Sequence, residues 1–131
     1  MEGSRKFGEG TLLFVWNADE GWWHGLMDSL HKVLSPNTYS CKLCQLTYGI
    51  AGPKAEWSAF LDALERPVAF YHRDQFMKSP VASEVPNLEL PAVLLHTSDS
   101  WNIHVCRREI MALKDLEGLM ALLKKRDPGS V

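Results

Sequence analysis

The sequence predicts a single α/β domain in which helices cover a mixed four-stranded sheet. Three observations lead there. Leu12-Leu13-Phe14-Val15-Trp16 is an unbroken apolar run between polar neighbours, as in a strand buried on both faces. Trp101, Ile103 and Val105 alternate with Asn102, His104 and Cys106 behind the turn residues Thr97-Ser98-Asp99-Ser100, the pattern of a hairpin's return strand with one wet face. Helical periodicity flanks the intervening strands, so helices and strands must share one core. A length of 131 residues fits one such core.

Residues 1–10 read as a flexible start and Asp127 to Val131, with Pro128-Gly129, as a C-terminal tail, leaving 11–126 as the domain. After the first strand, Asn17 or Asp19 is placed to cap a helix from about Glu20 to Leu34. Trp22, Leu26, Leu30 and Val33 recur there at helical steps, and Ser35-Pro36 stops the run. His24, Asp28 and His31 share its polar face. From Ser35 to Pro53 the prolines, glycines and Asn37 predict a long loop with at most one helical turn, and loops of this length commonly carry function. Pro53 suits the first turn of a helix bearing Trp57, Phe60, Leu61 and Leu64, closed by Pro67. Val68 to Tyr71 is the second strand. His72 to Glu84 is polar and broken by Pro80, and Ala92 to His96 is the third strand. Leu116, Leu119, Met120 and Leu123 form an amphipathic closing helix whose Lys124-Lys125-Arg126 end complements the negative pole of the helix dipole.

Composition narrows the function. A hydrophobic fraction of 46% and a formal charge of -2 describe an ordinary globular protein with no basic field for a polyanion, so nucleic acid is not an expected partner. The longest apolar runs are far shorter than the ~20 residues a membrane-spanning helix needs. Residues 1–10 lack the apolar stretch of a secretory signal, and a cytoplasmic location is the expectation. In that reducing compartment a permanent structural disulfide is not expected of the three cysteines, and Cys106, the one left over, is expected to be buried.

Cys41-Lys42-Leu43-Cys44 is the strongest chemical feature. Two cysteines at this spacing can close a tight disulfide or face one soft metal ion. As a redox pair, one thiolate would be stabilised by backbone N–H groups and by Lys42, and its partner would resolve the mixed disulfide. As a zinc site, the pair needs two further ligands, for which His31 and His72 are the candidates. His24 and His31 lie about 10.5 Å apart along a helix axis, too far to serve one ion together. As plain structure, both cysteines are small loop residues. His72-Arg73-Asp74 offers an anion site or an acid and base pair, or simply solvated charge. Trp22 and Trp23 cannot both face one narrow helix stripe, so one of them is a candidate contact for a protein partner. Phosphate-binding glycine loops, nucleophile elbows and paired-carboxylate motifs are missing.

Leu90-Pro91-Ala92-Val93-Leu94-Leu95, followed by a hairpin and a final helix, resembles the thioredoxin-like fold, in which a cis-proline precedes the third central strand. The resemblance spans roughly residues 11–125. It implies a three-layer domain and a peptide-binding edge shaped by Pro91. In that family the redox cysteines sit directly after the first strand, at the start of the first helix, facing the cis-proline. Here Asp19-Glu20-Gly21-Trp22 hold that place and the cysteines follow the first helix. Asn17-Ala18-Asp19, Ser35-Pro36, Tyr39, the Cys pair and Leu46-Thr47-Tyr48-Gly49 are also similar to a functionally uncharacterised group of small bacterial proteins. The leading expectation is a thioredoxin-like protein with a displaced redox pair, Cys41 attacking and Cys44 resolving, acting on a protein partner or a small thiol. A zinc site at Cys41, Cys44, His31 and His72, and a non-catalytic interaction domain, are the alternatives.

Overall fold

The computed structural model describes residues 7–19, 41–49 and 52–127. The helix expected from Glu20 to Leu34, with Trp22, Trp23, His24, Asp28 and His31, lies outside the described residues. Strand β1 (Leu12–Val15) is buried along its whole length, because a strand pairs with it on each side and helices cover both faces. It runs parallel to β4 (Val68–Tyr71), with Leu12 beside Val68, and antiparallel to β5 (Ala92–Thr97), with Val15 beside Ala92. β6 (Ser100–Val105) returns antiparallel to β5, giving a mixed four-stranded sheet in the order β4-β1-β5-β6. The hairpin turn places Ser98 and Asp99 at φ 53° and 64°, the left-handed pair that lets a two-residue turn follow the twist of its strands.

Helices lie on both faces. On one, Leu12, Phe14 and Trp16 meet α1 (Lys42–Thr47), α2 (Ala55–Ala63), α5 (Arg107–Met111) and α6 (Leu116–Lys125) through Leu43, Leu46, Trp57, Ile110, Leu119 and Leu123. On the other, Leu13, Val15 and Leu94 meet α3 (Arg73–Lys78) and α4 (Val81–Glu84) through Phe76 and Val81. Helices α3 and α4 occupy the stretch read as merely polar and broken by Pro80. Each is too short to repeat an apolar period, and each anchors with one buried side chain. Helix α5 went unpredicted for the same reason. Among the described residues, no helix is long and apolar enough to cross a membrane.

Two expectations about packing are corrected. Between Val93 and Leu94 the register with β6 shifts, so that Leu94 pairs with Ile103 and Val93 with Val105. The extra residue turns the strand over. Trp101 therefore enters the core on the α3 side and Val105 the opposite one, while Ile103, expected inside with both, is 51% exposed. Second, Pro53 does not open a helix. It belongs to a short hairpin of β2 (Tyr48–Gly49) and β3 (Gly52–Pro53), in which Gly52 holds φ 116°, a conformation that favours glycine. Lys54 then starts α2.

The C-terminus of α6 is tied down by charge. Arg126 donates to Glu109 with both arms of its guanidinium and also to the His104 carbonyl, and Arg66 pairs with Asp127. The Arg126 bonds and the Cys106 N–H hold the Glu109 carboxyl at about 2, from an ordinary 4.5. The unfolded carboxyl therefore takes up a proton at higher pH than the folded one. The contribution is whole above pH 4.5 and is lost as pH falls toward 2. Burial, followed by Arg126 and Arg66, lowers the His104 imidazole below 6.5, so acid costs stability there too, in a window that begins near that value. Urea unfolding as a function of pH should show Glu109→Gln flattening the stability loss between pH 4.5 and 2 while leaving the His104 window in place.

Candidate functional site

The stretch from Ser35 to Pro53, expected to be loop, holds helix α1 within its described part, and Cys41 is its N-cap. The Cys41 sulfur accepts the Cys44 N–H at 3.3 Å, a role usually taken by an oxygen. The same sulfur accepts the Asn17 N–H, also at 3.3 Å. Asn17 lies two residues past the end of β1. The cysteine pair thus returns in space to the C-terminal end of the first strand, the place its position in the sequence seemed to deny it.

Cys41 and Cys44 are joined by a disulfide with their Cα atoms 5.3 Å apart, well within the span such a bond bridges. Of the two uses the spacing allows, a tight disulfide is the one the structure shows, since the N-cap geometry folds the two side chains onto one another. Cys41 is 0% exposed and Cys44 is 4% exposed, and both belong to the core that includes Trp16, Leu43 and Val93. Trp16 stands between Phe70, stacked on it at 5.6 Å, and Tyr48, whose edge meets it at 5.8 Å. Burial pushes the Tyr48 phenol up. An indole therefore sits beside the residue that donates to the disulfide.

Pro91 is buried, and its peptide bond with Leu90 is cis. Since Ala92 pairs with Val15, Pro91 stands at the same sheet end as Trp16 and Asn17. No family model, curated protein or solved structure matches this chain.

The other predicted residues are dispersed. His72 caps α3, exchanging hydrogen bonds with Gln75, and its backbone N–H donates to the Gln75 side chain at 2.8 Å. Arg73 is not a free anion binder, because it grips Asp19 with two bonds of 2.8 and 3.0 Å and holds that carboxyl below its usual range. Among the described residues, no group of three His, Cys, Asp or Glu is arranged to hold a metal ion. With the disulfide closed, neither sulfur is a thiolate ligand for zinc. His31, Trp22 and Trp23 lie outside the described residues. Cys106, expected to be buried, is half-buried and free, at the mouth of a surface cleft. The end of the strand exposes it, because Val105 is the last residue to face the core.

Proposed function

We propose that Cys41 and Cys44 form a reversible dithiol/disulfide couple in a thioredoxin-like domain. The observation that carries this reading is the bond from the Asn17 N–H to the Cys41 sulfur. It supports the reading by tying a cysteine at the start of a helix to the residue just beyond the first strand, with Pro91 at the same end of the sheet. A mixed sheet, a hairpin after Pro91 and a final helix on the disulfide's face are consistent with that fold.

Burial and hydrogen bonding favour a division of labour opposite to the one expected from the sequence. An incoming thiolate attacks the Cys44 sulfur, a new S–S bond forms there, and the electron pair of the old bond leaves on Cys41. The Asn17 and Cys44 N–H groups are already aimed at that sulfur, and bonds to a charged acceptor are about twice as strong as neutral ones. A low-pKa thiolate is the better leaving group. Attack of the Cys41 thiolate on the mixed disulfide reverses the step.

Single-cysteine variants test the assignment. Incubated with glutathione disulfide in a Cys106→Ser background, which removes the remaining free thiol, Cys41→Ser should accumulate a mixed disulfide on Cys44, read by intact mass, whereas Cys44→Ser should accumulate little on Cys41. The reverse ranking would overturn the roles, and no adduct in either variant would overturn the couple.

A further inference from the structure

The cleft at the end of β6 is a second site, on features the disulfide does not use. It has a volume of about 330 Å³ and is lined by Pro86, Leu88, Glu89, Ile103, Cys106, Arg107 and Arg108 among others. That is the low end of the range for small-molecule sites. Ile103 pairs with Leu94 on the face that carries Trp101, yet it is left 51% exposed at the edge strand, where it lines the cleft. An apolar side chain of this size left open beside Pro86 and Leu88 gives the cleft one greasy wall.

The other wall is cationic. Arg107 donates its Nε to the Leu90 carbonyl at 3.0 Å, which fixes the guanidinium plane. Among the described residues Arg108 forms no ion pair. Glu109, next in sequence, is turned away and committed to Arg126. The lining therefore carries two arginines against one carboxylate residue, Glu89. Planar guanidinium forks match carboxylates in pairs of parallel bonds.

We infer that this cleft binds a small monocarboxylate with a short apolar body, its carboxylate on Arg107 and Arg108 and its body against Pro86, Leu88 and Ile103. The inference stands apart from the redox reading, and the closed disulfide makes it easy to test. In the oxidised protein Cys106 is the only thiol, so its alkylation reports occupancy of the cleft. Hexanoate is the probe, with hexylammonium as its charge-reversed twin and inorganic phosphate as the anion without an apolar body.

Hexanoate should slow the reaction of Cys106 with iodoacetamide in a saturable way, and hexylammonium should not. Arg108→Gln, which removes no side-chain hydrogen bond or ion pair among the described residues, should weaken protection about tenfold, as expected for one charge-assisted bond. Arg107→Gln should do the same, and Arg107→Lys should recover part of it. Equal protection by both hexyl compounds, undiminished protection in Arg108→Gln, or no protection by hexanoate would each overturn the site. Phosphate protecting as well as hexanoate would overturn the role of the apolar wall.

Discussion

Replacing Trp57 with alanine should cost about 3–5 kcal/mol, the loss typical of a large aromatic removed from a core. Trp57 is 2% exposed and the only fully buried side chain of α2. Its ring meets Phe14 edge-on at 5.5 Å and stacks on Phe60 at 6.0 Å. Of the remaining apolar residues of that helix Phe60 and Leu61 are half-buried and the alanines are exposed, so nothing else on it can fill the hole. Measured against a typical domain stability of about 5–15 kcal/mol, the variant should unfold at far lower urea. Trp57→Phe should recover a large share, since a ring still reaches Phe14. Equal loss in both variants would mean that the indole makes a contact the packing does not account for.

Removing Cys41 should be costlier than removing Cys44, although either change deletes the same disulfide. Closing so short a loop restricts the unfolded chain by about 2 kcal/mol on the chain-entropy account, and both alanine variants forfeit that. Cys41→Ala also strips the acceptor from the Asn17 and Cys44 N–H groups in a buried place, at a further cost of about 1 kcal/mol or more. Cys41→Ser should fall between the two, because a hydroxyl oxygen can take up part of the acceptor role. Equal unfolding midpoints for Cys41→Ala and Cys44→Ala would show that the hydrogen bonds to sulfur contribute nothing.

Much of the sheet was legible. β1 and β4 could be read from short apolar runs, and β5 and β6 from a run and an alternation around a turn, because burial dictates residue type directly in strands. The face of Val105 was not legible, since one inserted residue after Ile103 inverts a period-two pattern and leaves no mark in composition. Helices α3, α4 and α5 escaped because a helix with one buried anchor has no period to detect. The Cys pair announced itself by spacing, but its partner did not. Asn17 acts through its backbone N–H, which every residue but proline possesses, so only the fold could bring it to Cys41. Cys106-Arg107-Arg108 did carry a signal, a thiol and two cations at a strand end.

The central claim is that the buried disulfide is a working couple and not a fixed staple. It is tested most directly by equilibrating the native protein in graded dithiothreitol buffers without denaturant, quenching with an alkylating agent and counting modified cysteines by mass. The account predicts a reversible two-electron transition from one accessible thiol, Cys106, to three. Tryptophan emission should rise with it as the disulfide beside Trp16 opens, and the far-UV spectrum should be retained. A protein that keeps one thiol at every dithiothreitol concentration until urea unfolds it would contradict the account, and would make Cys41–Cys44 a structural bond.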